Sequence, residues 1–382
     1  MPSAPRELLP VLWLTGPPGV GKTTAGWKIF CALTEGGVEA AYVDIDQLGI
    51  CSPDPPDDPV RYRIEAHNLG AVLTNFQAAG ARCAIVSGVI DADHGLYADA
   101  CSHAAVTLCR LRVDPDELRR RFAERRGVRS SIDEALQCAG ALDETDVAGL
   151  CVDTTGLSVD EVVRRVREVS NGWNRPSRPG PRPAAAEVAP PPPSSDTRVL
   201  LLFGATGVGK STAGFQLFLR AAGAGRRTAY VDLGQVGMCR PAPPGDPRNH
   251  RLKARNAAAL WRVYREVGVQ DLVLVGAAES RRVVDGYTAG LEAASVTICR
   301  LRAGADALRR RIMLRGAGEG SWPEPGDPLK GRSTAWLARV AEEAAAESEA
   351  LDRAGTGGLS IATDDLTAGE TAAAVASAAG WP

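Results

Sequence analysis

The chain has 382 residues, enough for two or three domains at ~100 to 200 residues each. Apolar residues make up 45% and charged residues 24%, and 44 basic against 46 acidic side chains leave a formal net charge of −2, so no global field favours nucleic acid or an anionic membrane as partner. The opening residues lack a basic segment followed by a long apolar core, and no run approaches ~18 uninterrupted apolar residues. The expectation is a cytoplasmic protein with no membrane partner.

In chain order, apolar runs rich in Val, Ile and Leu at 8–15, 40–43, 83–87, 105–111 and 150–152 predict buried strands. Between them, 22–33, 60–78, 115–126 and 158–169 carry apolar residues at three- and four-residue spacing and predict helices. The polar stretch 127–148 gives no clear assignment. Strand and helix in alternation, with right-handed crossovers, predict an α/β fold: a parallel five-stranded sheet with helices on both faces.

The whole unit is written twice. Leu14-Thr-Gly-Pro-Pro-Gly-Val-Gly-Lys-Thr-Thr-Ala-Gly26 returns 188 residues later as Leu202-Phe-Gly-Ala-Thr-Gly-Val-Gly-Lys-Ser-Thr-Ala-Gly214. At the same offset Val43-Asp-Ile-Asp-Gln-Leu-Gly-Ile-Cys-Ser-Pro53 matches Val231-Asp-Leu-Gly-Gln-Val-Gly-Met-Cys-Arg-Pro241 at six of eleven positions. Val106-Thr-Leu-Cys-Arg-Leu-Arg112 returns as Val296-Thr-Ile-Cys-Arg-Leu-Arg302. Identity in order along three separated segments means tandem duplication. Between the copies, 174–197 is proline-rich without apolar periodicity, which predicts a semi-rigid linker between domains at 1–173 and 198–382. The second copy is longer at 316–355. Docking of the copies on each other within the chain is left open, as is the oligomeric state.

Nine cysteines are scattered without a C-x-x-C pair or zinc spacing, the pattern of small buried hydrophobes in a reducing compartment. Lysine is scarce, five against 39 arginines, and two of the five close phosphate-binding patterns. Gly16-x-x-x-x-Gly21-Lys22-Thr23 and Gly204-x-x-x-x-Gly209-Lys210-Ser211 both satisfy Walker A, and each follows a predicted strand and opens a predicted helix. Glycines let successive N–H groups converge on phosphates, the helix dipole adds positive potential, the lysine reaches the β and γ phosphates, and the Thr or Ser hydroxyl ligates magnesium. The candidate ATP-binding residues are thus Gly16, Gly19, Val20, Gly21, Lys22, Thr23 and Thr24, with Gly204, Gly207, Val208, Gly209, Lys210, Ser211 and Thr212 in the second copy. A guanine-reading Asn-Lys-x-Asp and a transporter-type Leu-Ser-Gly-Gly are both absent, which disfavours GTPases and transporter ATPases.

Walker A, then Asp44-x-Asp46 closing the second strand, then the arginine-rich helix from Asp116 to Arg126, resemble the shikimate, gluconate and adenylylsulfate kinase group and related antibiotic phosphotransferases. The resemblance covers each copy and implies two P-loop NTPase domains using ATP and Mg2+ to phosphorylate a hydroxyl of a small molecule. It implies that Asp44, and Asp232 in the second copy, stand on the metal side with Thr23 and Ser211, and that Asp46 orients the substrate hydroxyl. Turn-stabilising helix caps are the plainer reading of the same aspartates. Arg119 represents the lid arginines expected to neutralise the transferred phosphoryl group, against a solvated basic helix face as the alternative. Arg63 is placed with the substrate, or equally on a plain surface helix. Thr154, in Val152-Asp-Thr-Thr-Gly156, falls in a segment resembling the one that flanks adenine in this group. Because Asp46 becomes Gly234, the chemistry is expected in the first copy. The alternative is a nucleotide-binding regulatory or scaffold protein with little or no transfer.

Overall fold

β1 (Leu9–Thr15) is buried along its whole length, which is why its seven residues show no polar alternation. Its neighbours in the first copy are α1 (Lys22–Glu35), β2 (Ala40–Asp44), β3 (Cys51–Ser52), α2 (Tyr62–Ala78), β4 (Cys83–Ser87), β5 (Ala104–Arg112), α3 (Pro115–Glu124), α4 (Ile132–Asp143), β6 (Leu150–Asp153) and α5 (Val159–Val169). The second copy runs β7 (Arg198–Phe203), α6 (Lys210–Gly223), β8 (Thr228–Asp232), β9 (Met238–Arg240), α7 (His250–Glu266), β10 (Asp271–Gly276), α8 (Arg281–Thr288), β11 (Ser295–Arg302), α9 (Ala305–Gly316), α10 (Thr334–Arg353), β12 (Leu359–Ala362) and α11 (Ala368–Ala379). The structure is a computed structural model describing residues 7–124, 131–145, 147–175, 197–291, 295–319, 327–356 and 358–382. Most of the expected linker, 176–196, and the lid arginines Arg125 and Arg126 lie outside the described residues.

Each sheet has six strands, not the expected five. The orders are β6-β5-β1-β4-β2-β9 and β12-β11-β7-β10-β8-β3. Five strands of each are parallel, and the sixth, at the outer edge, is antiparallel: Ala40 to Tyr42 pair with Arg240 to Met238, and Cys51 and Ser52 pair with Ala229 and Thr228. A strand of two or three residues ended by Pro53 or Pro241 carries too little periodicity to be read from sequence.

That edge strand also changes the division of the chain. The compact units are Met1–Gly49 with Arg61–Val188 and Met238–Leu252, and Ile50–Val60 with Ala189–Gly237 and Lys253–Pro382. They depart from the contiguous stretches 1–173 and 198–382 because each takes its outer strand from the other copy. In the first unit Arg240 caps the edge, its guanidinium 5.3 Å from the Trp27 ring and 5.6 Å from that of Phe30. In the second, the N–H of Tyr230 donates to the carbonyl of Ile50 at 2.9 Å.

The polar stretch without assignment contains α4, opened by a reciprocal capping box between Ser131 and Glu134. α5 opens the same way through Ser158 and Glu161. The core of the first unit gathers Leu12, Leu14, Ile29, Phe30, Tyr42, Ile85, Cys109, Leu111 and Leu118 between sheet and helices. That of the second gathers Leu200, Leu202, Leu217, Tyr230, Val273, Val275, Leu301, Leu308 and Ile312. Among the described residues no helix is long and apolar enough to cross a membrane.

Candidate nucleotide and acceptor site

Both Walker A loops sit between a buried strand and the first turn of a helix. Gly21 and Gly209 cap α1 and α6 with φ of 103° and 97°, a left-handed conformation that costs a side chain dearly. Gly16 and Gly204 are fixed by close approach instead: a Cβ on either would stand 2.3 Å from the carbonyl oxygen of Leu111 or Leu301. Only glycine lets the loop cross the end of β5 or β11 at that distance.

Lys22 folds back over its loop, Nζ donating to the carbonyls of Gly16 at 2.8 Å and Pro17 at 3.0 Å. Lys210 donates to Ala205 O at 2.8 Å. Each ammonium is thus stored above the cradle, where phosphate oxygens can replace carbonyls as its acceptors.

The next side chain meets the aspartate at the end of the second strand. Thr23 Oγ1 donates to Asp44 Oδ2 at 2.8 Å, and Ser211 Oγ to Asp232 Oδ2 at 2.6 Å. The other carboxylate oxygen caps the following turn, accepting from Asp46 N at 3.2 Å and from Gly234 N at 2.8 Å. Asp44 thus caps the turn, the plainer of the two roles weighed from sequence, and also accepts from the loop hydroxyl beside which the metal-side role placed it. A hydroxyl and a carboxylate side by side at the loop are an oxygen set suited to Mg2+, which takes one or two protein oxygens and completes its shell with phosphate and water.

Sequence reasoning missed Ser87, at the end of β4. Its hydroxyl donates to Asp44 Oδ2 at 2.9 Å and lies 2.8 Å from the hydroxyl of Tyr42. Val275 stands at the matched position, so the second site lacks this bond. Burial and the neighbouring Asp46 push the Asp44 carboxyl up to about 6, against the opposing hydrogen bonds from Thr23 and Ser87 and the charge of Lys22.

Asp46 itself is exposed, on the turn between β2 and β3. Asp91 organises its own loop: it accepts from the N–H groups of Asp93 and His94 at 2.9 and 3.1 Å and from the Tyr97 hydroxyl at 2.9 Å. Those bonds hold its carboxyl below the usual range despite burial. Arg63 is exposed near the start of α2.

Of the arginines on α3, the structure brings Arg121 to the cradle, not Arg119. Arg119 is exposed and pairs with Asp116 at 2.7 Å. Arg121 Nη1 donates to Val20 O and Thr154 Oγ1, both at 3.2 Å, and Nη2 to Thr154 O at 2.8 Å. Arg311 repeats the arrangement, with Nη1 donating to Val208 O at 3.4 Å and to Thr363 Oγ1 at 2.9 Å, and Nη2 to Thr363 O. The signal was helix phase: Leu118 is buried, and Arg121 and Phe122 follow it by three and four residues, whereas Arg119 points elsewhere. Thr154 is fully buried, its hydroxyl donating to Arg112 O at 2.9 Å. It clamps Arg121 against the loop.

In the second unit a cavity of about 300 Å³ opens beside the loop, lined by residues 207–212 together with Arg311, Arg315, Leu366 and Thr371.

No protein-family model matches the chain, and no curated protein sequence matches it. Solved structures similar to it include a tunicamycin resistance protein from Deinococcus radiodurans, at 15% identity and a TM-score of 0.33, covering 49% of this chain and 98% of that one. A gluconokinase from Sinorhizobium meliloti is 17% identical with a TM-score of 0.30, covering 44% of this chain and 97% of its own. A shikimate kinase from Bacteroides thetaiotaomicron is 14% identical with a TM-score of 0.29, covering 48% of this chain and 98% of its own. Each of these matches spans just under half of this chain and nearly the whole of the matched structure.

Proposed function

We propose that the protein is an ATP- and magnesium-dependent kinase that phosphorylates a hydroxyl of a small molecule, with the chemistry in the first unit. The observation that carries this reading is the Thr23–Asp44 pair at the mouth of a complete cradle, with the exposed carboxylate of Asp46 two residues beyond. Bound Mg2+ would be held by Thr23 and Asp44 and would draw charge from the phosphates. Lys22 moves from the loop carbonyls to the phosphate oxygens. Asp46 orients the acceptor hydroxyl and takes its proton. The backbone N–H groups at the start of α1 hold the phosphates still while the acceptor attacks in line.

The second unit keeps the loop, the Ser211–Asp232 pair and an open cavity but has Gly234 in place of the acceptor carboxylate. It supports nucleotide binding without efficient transfer, so the regulatory reading applies to this unit.

The test uses the full chain, since each unit draws a strand from both copies. Acceptor-dependent ADP release and nucleotide affinity are measured for Lys22→Ala, Asp46→Asn and Lys210→Ala. Lys22→Ala should abolish turnover, Asp46→Asn should lower kcat far more than nucleotide affinity, and Lys210→Ala should retain turnover. Activity surviving in Lys22→Ala but lost in Lys210→Ala overturns the assignment to the first unit.

A further inference from the structure

Ser87 of β4 and Val275 of β10 hold matched positions, each fully buried and in register with the aspartate that closes the neighbouring strand, Asp44 or Asp232. The frame around them is the same in both units. Tyr42 and Tyr230 lie edge-on to Trp27 and Phe215, with ring centroids 5.3 and 5.6 Å apart. A Cβ on the next residue, Gly88 or Gly276, would meet the side chain of Ile45 or Leu233 in the turn that follows the aspartate. That turn is pinned from the next helix, where the side-chain amide of Asn68 donates to Leu48 O at 2.7 Å and that of Asn256 to Val236 O. Valine serves this frame in the second unit, so the fold does not call for a hydroxyl there.

In the first unit the Ser87 hydroxyl donates its one proton to Asp44 Oδ2 at 2.9 Å, which leaves its oxygen to accept from the Tyr42 hydroxyl at 2.8 Å. Asp44 Oδ2 also accepts from Thr23, and Asp44 Oδ1 from the N–H of Asp46 at 3.2 Å. An unbroken run of hydrogen bonds therefore joins Tyr42, Ser87 and Asp44 to the backbone that carries Asp46. The Asp46 side chain stands over the same strand end, since a Cβ on Gly88 would lie 3.4 Å from Asp46 Oδ1. In the second unit Tyr230 donates instead to Ser211 O at 3.3 Å, Val275 has no hydroxyl, and Gly234 has no carboxylate. Tyrosine, aspartate, glycine and asparagine recur, whereas the strand-end hydroxyl and the acceptor carboxylate are absent together. Joint absence fits a hydroxyl that serves the carboxylate better than one that serves the frame.

We infer that Ser87, with Tyr42 behind it, is a positioning residue for phosphoryl transfer: it fixes the Asp44 carboxylate and, through it, the turn that aims Asp46 at the acceptor hydroxyl. The inference rests on the kinase reading of the first site. In the reaction the acceptor oxygen bonds to the γ-phosphorus as the bond from phosphorus to the β,γ-bridging oxygen breaks. The hydroxyl proton passes to Asp46 and ADP leaves. Ser87 exchanges no proton in this step; it removes the swing of Asp44 that would let Asp46 drift from the hydroxyl.

The experiment compares Ser87→Val with Ser87→Thr in the full chain. The two variants differ by a methyl against a hydroxyl, and valine already fills the matched position in the second unit, so the fold accommodates it. ADP release from ATP is measured with neutral sugars, amino sugars and sugar acids as probes, each against water alone, and nucleotide affinity reports a folded cradle. Ser87→Val should lower kcat about tenfold with nucleotide affinity held within about twofold, and Ser87→Thr should restore most of that turnover. Tyr42→Phe should lower kcat by itself and add little to the loss in Ser87→Val, because both act through one line of bonds. Without any acceptor, amide exchange at Asp46 should quicken in Ser87→Val and not in Ser87→Thr. Equal kcat in the two variants, or equal exchange at Asp46, overturns the positioning role and leaves the kinase reading intact. ADP release no faster with any probe than with water overturns the kinase reading, and this inference with it.

Discussion

The hydroxyl of Thr23 and that of Ser87 both donate to Oδ2 of Asp44, at 2.8 and 2.9 Å. One buried carboxylate oxygen thus ties the Walker A helix to the ends of two adjacent strands. Its carboxyl, pushed up to about 6, binds a proton more readily in the folded chain than in the unfolded one, where 3.8 is the ordinary value. The contribution of Asp44 to the stability of the nucleotide-free protein should therefore be full below about pH 4 and be lost as pH rises through about 6. Asp44→Asn should flatten that slope in urea titrations across the range.

On the proposed reading Mg2+ binds the charged carboxylate, so the affinity for Mg2+-nucleotide at the first site should rise with pH up to about 6 and then level off. Calorimetry near pH 6 in buffers of different ionisation enthalpy should detect proton release on binding. Ser87→Ala removes a bond favouring the charged carboxylate and should move the midpoint upward. A midpoint unchanged in Ser87→Ala would remove Ser87 from the site.

Arg121 fastens Val20 of the loop to Thr154 at the end of β6. Arg121→Ala should weaken nucleotide binding about tenfold and lower stability by about 1 to 3 kcal/mol, since buried acceptors lose a charged donor. Arg119→Ala, which removes an exposed pair with Asp116, should change neither. Fluorescent nucleotide titration of the two variants separates a clamp from a lid.

Asp271, at the start of β10 and fully buried, is gripped by two guanidinium groups. Arg198 donates through Nε at 3.1 Å and Nη2 at 3.0 Å, and Arg226 through Nε at 2.6 Å and Nη2 at 2.9 Å. Asp271→Ala should cost about 3 kcal/mol by leaving two arginines facing a cavity. Denaturant unfolding with hydrogen exchange should show the loss first in β7 and β10.

Residues 1–173 expressed alone lack Met238–Leu252, so β2 becomes an open edge and Trp27 and Phe30 lose the cover of Arg240. Such a fragment should self-associate through that edge, and fusing residues 238–252 to its end should restore a monomer by light scattering. A monomeric fragment with slow amide exchange at Tyr42 would count against the role given to β9.

The cradle was legible because its chemistry is local: eight consecutive residues specify a loop, a helix start and a cation. Strands were legible where both faces are buried, as in β1 and β4, because burial alone writes an apolar run. Contacts made across the sequence left no such trace. Ser87 reads as the polar end of a strand until β4 is set beside β2, where it lies in register with Asp44. Arg121 is one of three consecutive arginines, and only the burial of Leu118 picks its face of the helix. β3 and β9, at two and three residues, are too short to repeat any pattern, and their partners lie in the other copy. α4 had a readable start in Ser131-x-x-Glu134, which the surrounding polarity obscured.

A duplicated segment ordinarily decays freely once the original suffices. Here deletion of the second copy would also remove residues 238–252 from the first unit, and deletion of the first would remove residues 50–60 from the second. Neither can be discarded without exposing a strand of the survivor to water. Selection for a folded chain thus preserves both halves whatever either one does, and a unit with Gly234 at the position of Asp46 is free to drift toward another ligand while its framework is kept.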